Sequence, residues 1–255
     1  MLADGTLAAF GLFLVRTSAL VLATPFIGAD SVFGGVKVAL IASLALISYT
    51  TWGAPLPQAQ APLAFAMLAL REVLVGLSLA LVLQSALLAI RVSGEMIGQE
   101  MAFNMANVVD PASGLSTPLV TQLYEAMFML GLLAVDGHHL VLQALASSFE
   151  RAPVGALVIE ADLPTLVVAQ LTQMFAAGVT FAAPVLVLLM LSSLVMGLLA
   201  RMVPQMNVLE VGFTLRIVVG LGAMTLFAPL IAPALEVLFK GVDEGLETML
   251  LNLGG

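Results

Sequence analysis

Long apolar runs separated by short polar or glycine- and proline-rich breaks set the rhythm of this chain. Residues 7 to 24 are apolar apart from Arg16, Thr17 and Ser18 and end at Thr24-Pro25, long enough for a helix across the ~30 Å hydrocarbon core of a bilayer. A second run covers Val36 to Trp52, with Tyr49 and Trp52 where an interfacial aromatic belt would put them. A third runs from Leu63 to Ile90, interrupted by Arg71-Glu72 and Gln84-Ser85. The fourth, Gln122 to Ser148, is broken at Asp136-Gly137-His138-His139, where a glycine among polar residues predicts a bend. Thr165 to Arg201 is too long for one straight span at about 1.5 Å per residue, and Pro184 predicts a kink or break within it. Val211 to Phe239 carries Arg216, is broken by Pro229 and Pro233, and leads into an acidic, glycine-ended tail. The pattern predicts an all-α integral membrane protein of about six long apolar segments. It divides one domain, 1–255, into N-terminal helices (1–90), a polar helix end with a central loop (91–121), middle helices and a loop (122–164), and a C-terminal helical hairpin with its tail (165–255).

The stretch from Arg91 to Pro118 departs most from this rhythm. Arg91, Glu95 and Gln99 recur at i, i+4 and i+8 and so share one polar helix face. Gly94 and Gly98 form a G-x-x-x-G, a spacing that lets another helix backbone approach closely. Turn and breaker residues then follow, among them Asn104, Asn107, Asp110, Pro111, Ser113, Gly114, Ser116 and Pro118. They predict a loop of roughly fifteen residues, long enough to suspect function. Met101, Phe103, Met105, Val108 and Val109 keep this loop apolar, and an apolar loop in a membrane protein must be buried in protein or line a cavity.

Composition narrows the classes. Hydrophobic residues make up 61% of 255 and charged residues 9%, which a water-soluble domain could not carry without large exposed apolar patches. With no cysteine, disulfides, thiolate catalysis and thiolate-bound metals are excluded. His138 and His139 have few carboxylates near them in sequence, and consecutive helical residues face different ways, so a hydrogen-bonded pair at a helix end is expected rather than a metal site. A net charge of −8 with only 8 Lys+Arg leaves no basic patch for nucleic acid. A charge at bilayer depth is costly unless paired, so Arg16 is expected to point into protein. Arg71 and Glu72, about 100° apart on a helix, are expected to pair with other helices rather than with each other.

Near the C-terminal third the chain reads LARMVPQMN from Leu199 to Asn207, followed by Gly212-Phe213. Arg201, Pro204, Gln205, Asn207, Gly212 and Phe213 together resemble the R-x-x-P-Q-x-N…G-F signature of the FliR family of the flagellar type III export apparatus. Other marks keep the family's order: Arg16 with Pro25 and Lys37, Glu72 with Gly76, Gly94 to Gln99 before Asp110-Pro111, Gly137-His138, and Ser148 with Pro153 and Gly155. The resemblance extends over essentially the whole chain, and Gly212-Phe213 looks more like the flagellar branch than the injectisome relatives, which remain the alternative.

This resemblance implies a structural, non-enzymatic component without a cofactor. It implies assembly with FliP and FliQ homologues, an FlhB homologue associated, as kinked helical hairpins in a hetero-oligomeric gate contacting membrane lipids. The location implied is the bacterial inner (cytoplasmic) membrane at the flagellar basal body, where unfolded flagellar proteins cross. It also implies that the Met101 to Thr121 stretch plugs the closed pore, with Met101, Phe103, Met105, Val108, Val109, Asp110 and Pro111 as the sealing segment. Val108-Val109 stand where relatives often carry aromatic residues. Methionine is adaptable enough for a gasket, and an apolar constriction blocks ions by dewetting. Arg201, Gln205 and Asn207 are expected to cap the turn between the last two long helices, because Pro204 frees backbone groups. Two other classes fit less well. A stand-alone secondary transporter would show paired broken helices in two halves, and Pro184 and Pro229 have no matching half. An intramembrane hydrolase would need a G-x-S-x-G or H-E-x-x-H, and a nucleotide site a G-x-x-x-x-G-K-[ST]; none occurs.

Overall fold

A computed structural model describes residues 3–24, 33–56, 61–102, 118–134, 136–155, 163–203 and 207–253. Among these the protein is all α. Its helices are α1 (Ala3–Ala23), α2 (Gly34–Trp52), α3 (Pro62–Glu100), α4 (Leu119–Ala134), α5 (His138–Arg151), α6 (Leu163–Met202), α7 (Val208–Phe227) and α8 (Ile231–Leu253), with a 3-10 turn at Ala228–Leu230. Five helical stretches are long and apolar enough to cross a bilayer, or six if α4 and α5 form one bent span. Helices α3 and α6, of 39 and 40 residues, reach about 60 Å each at the usual rise. That is about twice the hydrocarbon thickness, so each must tilt steeply or project beyond the lipid.

The polar face of Arg91, Glu95 and Gln99 is helical as expected, and α3 continues to Glu100 before Ala102 adopts φ 61 and ends it. Three other expectations about these elements change. The bend before His138 is made by Asp136, in the left-handed region at φ 54, whereas Gly137 has the helical φ of −60. Asp tolerates that conformation better than most side chains. Helix α6 passes through Pro184 without ending, since a ring in mid-helix removes one hydrogen bond among many. Pro229 breaks the last run into the 3-10 turn, but Pro233 lies in the first turn of α8, where its missing N–H is no loss. The acidic tail is helical to Leu253.

The chain folds into two compact units, one formed by Met1–Ala86, Leu133–Leu171 and Lys240–Gly255, the other by Leu87–Leu132 and Thr172–Phe239. In the first, α1 packs along α2. Phe13 stacks on Phe149 at 4.6 Å, and Phe10 and Phe13 meet the Tyr49 ring edge-on at 5.9 and 5.6 Å. Trp52 stacks on Phe149 at 6.0 Å, so the two aromatics of α2 pack against α1 and α5.

The second unit is built on small residues. A Cβ at Gly94 would lie 2.6 Å from Thr121 Cα, one at Gly98 2.6 Å from Pro118 Cβ, and one at Gly178 2.9 Å from the Ala89 carbonyl. Where the hydrophobic effect contributes little between helices, such close backbone contact supplies the van der Waals attraction that holds them.

Candidate functional site

The first candidate site is a charge cluster buried in the first unit. On α3, Glu72 and Gly76 lie one turn apart and face α1. Gly76 has no side chain to hold the helices apart, since a Cβ there would stand 2.8 Å from the Arg16 carbonyl oxygen. That approach brings the Arg16 guanidinium, 0% exposed, onto Glu72, also 0% exposed. Arg16 Nε donates to Glu72 Oε2 at 2.6 Å, and Nη2 lies 2.5 Å from the same oxygen. Its remaining N–H groups turn to the end of α5: Nη1 donates to the Ser148 carbonyl at 2.8 Å and Nη2 to the Ala152 carbonyl at 2.8 Å. The Phe149 ring lies beneath the guanidinium, 4.7 Å from it.

Arg71 Nη1 donates to Glu72 Oε1 at 3.0 Å and to the Pro153 carbonyl at 3.2 Å. The adjacent pair thus interacts after all, because the long arginine stem carries its head group round to the carboxylate that Arg16 already fixes. Among the described residues the cluster holds two arginines and one glutamate. It sits at the C-terminal end of α5, where unpaired carbonyls carry partial negative charge. The cluster therefore ties α1, α3 and α5 together by charge-assisted hydrogen bonds.

The second candidate site lies in the second unit, at the two helix ends flanking the central segment. The polar residues Arg91, Glu95 and Gln99 are exposed, while Ser93, Gly94, Ile97, Gly98 and Met101 on the other face are buried. Arg91 Nε donates to Glu125 Oε1 on α4 at 2.5 Å. With Gly94 seated on Thr121 and Gly98 on Pro118, the end of α3 and the start of α4 form a tight hairpin base. Met101 is 0% exposed, and a Cβ on Gly220 of α7 would be 2.6 Å from its sulfur. Phe103, Met105, Val108, Val109, Asp110 and Pro111 lie outside the described residues. In the same unit an apolar cleft of about 200 Å³ opens beside Pro184, lined by Tyr124, Phe181, Met224, Phe227 and Ile231.

The turn carrying the family signature is partly described. Pro204 and Gln205 lie outside the described residues. Arg201 occupies the last turn of α6, the favourable end of the helix dipole for a cation. Asn207 stands at the N-cap of α7 but its side chain makes no cap bond to the backbone. It donates instead to Glu210 Oε2 at 3.1 Å, so the expected side-chain cap at Asn207 is replaced by a side-chain pair. Gly212 is half-buried and Phe213 exposed.

At the α4–α5 turn, His138 and His139 are exposed with ring centroids 4.3 Å apart. The expectation that neighbours on a helix diverge fails here because both residues open α5. Glu125, Thr121 and Gly220 were not singled out from the sequence. Each is a partner from distant sequence, and no local spacing announces such contacts.

Comparison with known proteins matches the chain to the family described as bacterial export proteins, family 1, over residues 7–242. It is 32% identical over 243 residues to flagellar biosynthetic protein FliR of Escherichia coli (strain K12), covering 94% of this chain and 92% of that protein. It is 30% identical over 249 residues to flagellar biosynthetic protein FliR of Bacillus subtilis (strain 168), covering 96% of each. It is also 30% identical to flagellar biosynthetic protein FliR of Caulobacter vibrioides, over 223 residues, covering 84% and 86% of the two chains.

Proposed function

From the premise that this chain belongs to the bacterial export proteins, family 1, we propose that it is a structural, pore-forming subunit of the flagellar protein export gate. It is a membrane protein of the flagellar export apparatus. In this reading it assembles with FliP and FliQ homologues, with an FlhB homologue associated, in the bacterial inner membrane at the flagellar basal body. Unfolded flagellar proteins cross through the passage so formed, and the protein itself catalyses no reaction.

One observation carries the assembly. On α6, Val187, Met190, Leu191, Leu194, Val195 and Leu198 are all exposed, at i, i+3, i+4, i+7, i+8 and i+11. That is a continuous apolar stripe with no partner on its own chain among the described residues. With Phe175 and Val179 before it and Met202 after it also exposed on this helix, the open apolar residues extend over about 40 Å, more than the ~30 Å hydrocarbon core covers. Neighbouring subunits are the natural cover for the rest.

The central segment is the seal in this reading. Met101 anchors its near end on Gly220, and the Gly94/Gly98 contacts with Arg91–Glu125 hold its two ends together. Phe103, Met105, Val108 and Val109, with Asp110 and Pro111, are the residues that close the resting passage in this reading. Arg91, Glu95 and Gln99 present a polar face where water rather than lipid is expected. Co-expression with tagged FliP and FliQ homologues tests the assembly. The three proteins should co-purify as one stable complex, and recovery of this chain alone as a monomer would overturn it.

A further inference from the structure

The two histidines of α5 are taken up neither by the buried charge cluster nor by the proposed seal, yet their surroundings have a definite chemistry. Asp136, His138 and His139 are all exposed, and their ligand atoms lie within 4.8 Å of one another. The turn that gathers them is fixed by its backbone: Asp136 N–H donates to the Leu133 carbonyl at 3.2 Å and His139 N–H to the Asp136 carbonyl at 2.9 Å. Asp136 holds φ 54, an uncommon conformation for a residue with a side chain.

We propose that Asp136, His138 and His139 form a binding site for a divalent transition ion of the Zn²⁺ or Cu²⁺ class. Two imidazoles and one carboxylate are a donor set that such ions take, with water filling the open positions. Ligand atoms around a tetrahedral ion sit roughly 3.5 Å apart, so the three exposed side chains need only ordinary rotamer adjustment to converge. The start of α5 carries partial positive charge, which the Asp136 carboxylate offsets. A bound ion would also hold the left-handed Asp136 turn between α4 and α5.

The composition makes the test clean. The chain has 2 His and no Cys, so any imidazole-bound or thiolate-competed metal has one address. Cu²⁺ is titrated into the full chain, purified in detergent without a polyhistidine tag, and its electron paramagnetic resonance is recorded. One Cu²⁺ per chain should bind, with hyperfine coupling to two imidazole nitrogens, and Zn²⁺ should displace it. His138→Gln and His139→Gln should each lose one coupled nitrogen and weaken binding about tenfold or more, while Asp136→Asn weakens it and keeps both nitrogens. Coupling to a single imidazole, binding unchanged in either histidine variant, or no stoichiometric binding would each overturn the site. Because the three residues are exposed, the variants should elute and melt like the parent.

Discussion

Replacing Glu72 by Gln removes one charge from the centre of the first unit and leaves its shape almost unchanged. In the parent, Glu72 is 0% exposed and accepts from Arg16 at 2.6 Å and from Arg71 at 3.0 Å. Glutamine keeps one acceptor oxygen but turns an amide NH₂ towards a guanidinium, so at least one donor faces another donor. The two arginines then lose the carboxylate they share and keep the carbonyls of Ser148, Ala152 and Pro153. Breaking a buried ion pair by removing one partner costs about 3–5 kcal/mol. For a chain of this size that corresponds to a fall in melting temperature of about 6–20 °C. The assay is thermal unfolding of the purified protein in one detergent, with parent and variant in parallel. The paired variant Arg16→Met with Glu72→Leu should lose less than Glu72→Gln, because Arg16 goes together with its counter-charge and only Arg71 is left without the Glu72 carboxylate. A Glu72→Gln melting temperature within a degree or two of the parent, or a double variant less stable than either single change, would refute the reasoning.

Other consequences follow from the same geometry. Gly94→Ala and Gly98→Ala should each destabilise the hairpin base by about 1–3 kcal/mol, since backbone or ring atoms 2.6 Å away must shift; thermal unfolding reads this. Gly222→Ala and Gly241→Ala meet nothing within 4 Å and should be neutral or stabilising by up to about 1 kcal/mol. The pair Arg91–Glu125 is partly exposed at 47% and 27%, so Arg91→Ala should cost no more than about 1 kcal/mol. The charge-swapped Arg91→Glu with Glu125→Arg should restore what either reversal loses, as measured in a double-mutant cycle. Introducing Asp at Leu194, within the exposed stripe of α6, should leave the isolated chain foldable but abolish co-purification with FliP and FliQ homologues.

How much of this was legible in the sequence depended on how local each signal is. Helix positions were, because apolar runs of bilayer length and the breakers between them act on near neighbours. So α1, α2 and α6 start and stop within a few residues of the expected limits. The end of α3 was legible because Arg91, Glu95 and Gln99 keep the helical spacing and the breaker residues follow them, and those three are the exposed side of a helix whose other side is buried. Proline makes no break at Pro184 or Pro233: a long helix continues past one missing hydrogen bond, and a first turn does not miss it. The charge cluster was half visible. That Arg16 needs a partner follows from the cost of burial, but Glu72, Ser148 and Ala152 are distant in sequence, and only Gly76 beside Glu72 hinted at the close approach. Glu125 and Gly220 carried no such hint. At Asp136 the strain settled on the aspartate rather than on the neighbouring glycine, a choice that turn composition alone does not decide.

The central claim is that the segment between α3 and α4 closes the passage of an assembled gate. It is tested most directly by the ion conductance of that gate, reconstituted in a planar bilayer with and without residues 103–117. The intact assembly should hold the bilayer resistance near its bare value, and the deletion should open a steady leak. Conductance that is the same in both, from complexes of equal composition, would contradict the account.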